Sequence, residues 1–140
     1  MKKMFTLALG LVLLGSCSSD DSGSSTIDTA QLTNKKWYYS NSIVNGVSFP
    51  YLDHEACGKD YIEFLAGGVY RDVDVWDCEN DITTGTWSLN GETITVNVAN
   101  EGSNNGNIVS LTTNSLTVSS SFDFNEDGTS ETVIQNFTSN

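Results

Sequence analysis

Gly85-Thr86-Trp87-Ser88-Leu89-Asn90-Gly91-Glu92-Thr93-Ile94-Thr95-Val96 decides how the rest of the chain is read. Asn90-Gly91 is a preferred pair for a two-residue hairpin loop, whose central positions need positive φ. With that loop, partners across the hairpin sum to 181 in residue number. Trp87 then faces Ile94 and Gly85 faces Val96 on one side, while Thr86 faces Thr95 and Ser88 faces Thr93 on the other. One face is apolar and the other hydroxylated, as a half-buried antiparallel ladder requires.

The same device recurs outward from this hairpin. Trp37 to Val44 reads as a strand ending at Asn45-Gly46, after one helical turn between Leu32 and Trp37. A longer connection from Val47 to Lys59 holds the single proline, Pro50. Tyr61 to Leu65 and Val69 to Trp76 pair across Gly67-Gly68; Ile82 to Leu89 and Glu92 to Val98 are the opening hairpin. Asn100 to Asn107 reads as a polar loop. Ile108 to Thr112 and Ser115 to Phe124 turn at Thr113-Asn114, with Leu111 opposite Leu116 and Val109 opposite Val118. Asp127-Gly128 turns the last pair, with Phe122 opposite Val133 and Val118 opposite Phe137. The expected fold is all-β: eight antiparallel strands in up-and-down order, closed into a barrel that removes its own edges. A β-sandwich is the alternative, disfavoured by tight turns between nearly all neighbours. Trp87, Ile94, Val109, Phe64, Phe122 and Phe137 are expected to point inward, and Trp37 to plug one end. An eight-stranded barrel is either filled by side chains or holds one small ligand. In the second case Trp37, Phe64, Trp87, Ile94, Phe122 and Phe137 are the candidate lining.

The start of the chain reads as targeting sequence. Lys2-Lys3 precedes an apolar run, Phe5 to Leu14, too short to span a bilayer. Leu14-Gly15-Ser16-Cys17 resembles the lipobox of bacterial lipoproteins, which implies cleavage of residues 1–16 and lipid on Cys17. Residues 17–31 then form a polar tether, and the barrel domain spans 32–140. Ser18-Ser19-Asp20-Asp21 is similar to the acidic export signal of Bacteroidetes surface lipoproteins, which would place the domain outside the outer membrane rather than on its periplasmic face. Asp28-Thr29-Ala30 fits that phylum's short O-glycosylation pattern at Thr29. Cleavage would leave 4 basic and 18 acidic side chains, a net charge of −14. That surface disfavours nucleic acid and offers anionic lipid no polybasic patch.

With Cys17 lipidated, Cys57 and Cys78 are left in an oxidising compartment, where a disulfide is the default. A two-residue Gly67-Gly68 loop makes partners sum to 135 and sets Cys57 opposite Cys78. That is a non-hydrogen-bonded pair, with Cα atoms ~4.5 Å apart. The same register sets Glu63 against Asp72, a like-charge pair to be relieved by a bulge or by solvation.

Little else suggests chemistry. His54, the single histidine, is expected to be a solvated loop residue; as a base for Cys57 it would serve a thiol that Cys78 consumes. No nucleophile elbow or phosphate-binding glycine loop is present, so neither an enzyme nor a cofactor is expected. Asp123, Asn125 and Asp127 resemble the start of a calcium loop, with Gly128 in sixth place. The twelfth place holds Ile134, and Glu131 stands ninth, so the loop is incomplete; it reads first as an acidic hairpin tip.

Several of these features together resemble the lipocalin-like domain of Bacteroidetes lipoproteins. They are the lipobox, the acidic-serine tether, the leucine-led approach to Trp37, Asn45-Gly46, a cysteine before Tyr61-Ile62-Glu63-Phe64, and Gly85-Thr86-Trp87-Ser88-Leu89-Asn90-Gly91. The resemblance covers Leu32 to about Phe137. Lys35-Lys36-Trp37 replaces the Gly-x-Trp of true lipocalins. The resemblance implies a calyx-type barrel and no catalytic residues, and leaves the ligand undefined. A small apolar or amphipathic ligand held in the barrel is one expectation. A filled barrel acting as a surface scaffold is the other expectation, with its protein partner undefined. Either would be held at the outer membrane by lipid.

Overall fold

The computed structural model describes residues 26–140; the leader, Cys17 and the tether up to residue 25 lie outside the described residues. A single turn of helix, α1 (Thr29–Leu32), precedes nine strands. They are β1 (Lys36–Val44), β2 (Val47–Pro50), β3 (Tyr61–Leu65), β4 (Val69–Trp76), β5 (Glu79–Asn90), β6 (Thr93–Val98), β7 (Gly102–Leu111), β8 (Ser115–Phe122) and β9 (Glu131–Thr138). All pairings are antiparallel, and from β3 to β9 each strand pairs with the next. β9 then pairs back to β1 over Tyr38 to Val44 and closes an eight-stranded barrel. β2 is extra. The other edge of β1 is shared, Lys36 to Tyr38 going to β3 and Asn41 to Val44 to β2.

Four registers differ from expectation, each for a visible reason. The opening hairpin turns at Gly91-Glu92, with Gly91 at φ +62 and Asn90 paired to Thr93. The shift by two keeps every side chain on its face and sets Leu89 against Ile94, Trp87 against Val96 and Gly85 against Val98. The loop after β3 has three residues, Ala66-Gly67-Gly68, both glycines at positive φ. That one-residue slip sets Glu63 opposite Arg71 instead of Asp72, with an ion pair at 3.9 Å, and turns Asp72 to the inner face beside Ile62. A bulge between Ile108 and Ser110 gives Val118 the partner Ile108 and leaves Val109 61% exposed on the outside, not inward. Finally, residues 123–130 form a longer, self-capped loop in place of a tight Asp127-Gly128 turn, so Phe122 meets Glu131 and Leu116 meets Phe137. Asn100 to Asn107, expected as a loop, is mostly the first half of β7.

One end of the barrel is closed by packing. Asp28 caps α1 by accepting from the Ala30 N–H, and Leu32 is brought fully under the sheet. Trp37, also fully buried, donates from Nε1 to the Leu32 carbonyl at 2.8 Å, and Lys35 Nζ lies 5.1 Å from the centre of its ring. Ile62, Phe64, Ile108, Leu116 and Phe137 complete this layer.

The segment 51–60 replaces β3 beside the upper part of β4. Asp60, 1% exposed, accepts from the Val75 N–H at 2.8 Å and from the Tyr51 hydroxyl, and its carbonyl accepts from the Tyr39 N–H. His54 is not a solvated residue: Nδ1 accepts from the Asp60 N–H at 3.1 Å, so Nε2 carries the proton and donates to the Tyr39 carbonyl at 2.8 Å. Cys57 and Cys78 are bridged, with Cα atoms 5.7 Å apart, but they sit in two turns and not in the ladder. Cys78 shares its turn with Asp77, both at positive φ, as a type I′ hairpin requires.

Candidate functional site

Above the packed end the barrel is hollow. A cavity of about 780 Å³ opens at the opposite end, within the range of small-molecule sites. Its depth is apolar, with Ile62, Phe64, Ile94, Val96, Val118 and Phe137 on the wall. Alternation explains their placing: each is at an inward position of its strand. The void is left by β7 and β8, whose inward positions above Gly106 and Val118 carry Asn104 and Ser120 instead of large side chains. A Cβ on Gly106 would lie 2.6 Å from Val118 Cγ1.

A polar group interrupts this lining. Asp72 accepts from the Tyr39 hydroxyl at 3.0 and 3.1 Å and from the Tyr70 hydroxyl at 3.5 Å. All three line the cavity. Burial holds the Asp72 carboxyl above the usual carboxylate range; hydroxyl donation from the two tyrosines opposes this, and Asp74 and Asp60 add to it. Burial, then the adjacent Asp72, pushes both tyrosine hydroxyls well above the ordinary phenol range. Gln135, also on the wall, is committed: it accepts from Ser42 Oγ at 2.6 Å and donates to the Asn41 carbonyl. Glu101 stands with Phe122 among the remaining lining residues.

Of the six side chains expected to line a cavity, Phe64, Ile94, Phe122 and Phe137 do so. Phe122 is 46% exposed, so its ring is not the interior residue expected; it stands near Phe124, which in turn meets Phe49, with centroids 6.2 and 5.4 Å apart. Trp37 lies in the packed end below. Trp87 is edge-on to Phe64 at 5.5 Å and donates from Nε1 to the Leu65 carbonyl, away from the lining. Asp72 and Tyr70 went unseen because the predicted two-residue glycine loop put the wrong face of β4 inward. The Glu63–Asp72 clash was the available signal.

The acidic loop is a separate feature. Carboxylate oxygens of Asp123, Asp127 and Glu131 lie within 4.8 Å of one another. They are bonded to the loop's own backbone: Asp123 accepts from the N–H groups of Asp127 and Gly128, Asp127 from Thr129, and Glu131 from Phe124. Asn125 also accepts from Asp127, and the N–H of Thr129 is the main cause holding the Asp127 carboxyl low. These bonds account for a hairpin tip.

An eight-stranded meander closed at one end by a tryptophan layer and open at the other to a mixed apolar and polar cavity is a calyx. Comparison with known sequences narrows that class. The chain belongs to the lipocalin-like domain family, whose profile matches residues 32–118. Among solved structures, it is similar to a lipocalin-like protein from Bacteroides uniformis, with 16% identity and a TM-score of 0.53 over 75% of this chain and 97% of that one. An uncharacterized protein from Bacteroides eggerthii gives 10% identity and a TM-score of 0.55 over 76% and 98%. Lobster apocrustacyanin A1 gives 18% and 0.52 over 81% of this chain and 63% of its own. At these identities the likeness is one of fold. No curated protein sequence matches the chain.

Proposed function

We propose that the protein is a non-enzymatic lipoprotein that binds a small hydrophobic or amphipathic molecule inside its barrel. The observation that carries this reading is the hollow of about 780 Å³ above a packed floor. A filled barrel acting only as a scaffold would have placed large side chains where Asn104 and Ser120 stand. Burying a ligand's apolar surface there is worth roughly 25 cal/mol per Å² before the costs of association. The lipobox-like Leu14-Gly15-Ser16-Cys17 supports attachment to the outer membrane through lipid on Cys17, with the acidic tether favouring the cell surface. Native mass spectrometry of protein purified gently from its own host tests the binding reading. A bound small molecule lost on denaturation is expected. A ligand-free species that also takes up no fluorescent lipid would overturn it.

A further inference from the structure

Resting on that reading, we propose that the ligand carries an amine, held as an ammonium group at Asp72. The chemistry begins with what Asp72 lacks. An ionised carboxylate has about four acceptor sites, and the hydroxyls of Tyr39 and Tyr70 supply two protons between them. Asp72 itself lines the cavity, where a ligand can use the remaining capacity.

No cation among the described residues reaches it. The described residues contain four basic side chains, Lys35, Lys36, Lys59 and Arg71, and each is used elsewhere. Lys35 donates to the Thr113 carbonyl, Lys36 lies 4.2 Å from the ring centre of Tyr61, Lys59 lies 5.5 Å from that of Tyr38, and Arg71 pairs with Glu63. None lines the cavity. The charges that do act on Asp72 are acidic, Asp74 on its own strand and Asp60 in the segment 51–60, and a second carboxylate, Glu101, lines the cavity. A carboxylate left without a counter-ion inside a calyx is satisfied best by a positive group brought from outside. The aromatic rings of Tyr39, Tyr70 and Phe64 add faces to which an ammonium is attracted. The apolar depth formed by Ile62, Ile94 and Val118 takes the hydrocarbon part. Fatty carboxylates are disfavoured by the same charge.

The test compares decylamine, decanol and decanoate as ligands of the full protein, at neutral pH, by calorimetry and by methyl NMR of Ile94 and Val118. The amine should bind about tenfold or more tighter than the alcohol, and the carboxylate most weakly, with the methyl resonances shifting. Asp72→Asn should bring the amine down to the alcohol. If that variant does not fold, the wild-type series still decides. Alcohol or carboxylate binding as tightly as the amine would overturn the amine assignment and leave the apolar-ligand reading standing. Amine binding that leaves the Ile94 and Val118 methyls unmoved is attraction to the acidic exterior and also overturns it. Failure of all three ligands would overturn the binding reading itself.

Discussion

The Cys57–Cys78 bridge joins residues 21 apart in sequence, so its contribution can be worked from loop closure. Cross-linking a loop of that length removes enough freedom from the unfolded chain to stabilise the fold by about 3 kcal/mol. Replacing both cysteines by serine should therefore lower the unfolding free energy by about 3 kcal/mol. For a domain of this size that is roughly 12 °C in Tm. Urea unfolding followed by the fluorescence of Trp37 and Trp87 measures it, and the midpoint should fall by the corresponding amount. A loss below about 1 kcal/mol would refute the loop-closure argument.

Where the bridge acts can be separated from how much it contributes. The segment it ties down is also held without it, through Asp60 to the Val75 N–H and His54 to the Tyr39 carbonyl. If the bridge works on the unfolded chain, the Val75 amide in the serine variant exchanges only by global unfolding. If the bridge instead clamps a segment that would open by itself, the Val75 amide exchanges faster than amides in β6 and β8. The second outcome would mean that residues 51–60 stay in place through sulfur alone, contrary to the hydrogen bonds described above.

Three further outcomes follow from the barrel. Trp37→Phe leaves the Leu32 carbonyl without its indole partner in a fully buried site and should cost about 1–3 kcal/mol in urea unfolding. Gly106→Ala puts a methyl 2.6 Å from Val118 Cγ1; it should cost about 1–3 kcal/mol and weaken any cavity ligand, as titration calorimetry would show. Asp72 binds its proton more tightly folded than unfolded, because burial raises its carboxyl. Its contribution to stability is therefore complete below the ordinary aspartate range and is lost as pH rises through the raised value. Asp72→Asn should remove that fall, and parallel stability–pH curves for the two proteins would contradict it.

Strand periodicity was legible wherever inward residues were large. Tyr61–Leu65 and Val69–Trp76 have the bounds read from sequence, and Leu111 meets Leu116 as expected. What failed was register, because it depends on loop length, and Gly67-Gly68 serves a two-residue or a three-residue loop equally well. The choice matters more there than at Asn90-Gly91. A slip of two leaves faces unchanged, whereas a slip of one exchanges them. The error at β4 hid Asp72 and Tyr70, and with them the polar half of the site. His54 was misjudged for a different reason: its partners are the Asp60 N–H and the Tyr39 carbonyl, backbone groups that leave no trace in sequence.

The misreading of residues 100–107 as a loop has a physical cause tied to function. A strand is recognised by large side chains at alternate positions, and Gly102, Asn104 and Gly106 supply none at the inward sites of β7. The strand is held by other means. Its outer face is laced to β6 by Thr93 donating to Asn107 at 2.9 Å and Thr95 donating to Asn105 at 2.7 Å, and the backbone ladder runs without a break from Gly102 to Asn107. Bulk is thus moved along the barrel axis. Trp37, Phe64, Ile108 and Leu116 fill one end, and small residues on β7 and β8 leave the other open. A barrel that only needed to fold would gain stability from larger residues at Asn104 and Ser120, because a void forfeits packing contacts. Their smallness is a cost in stability that an occupied cavity would offset, since a ligand that binds only the folded chain stabilises it.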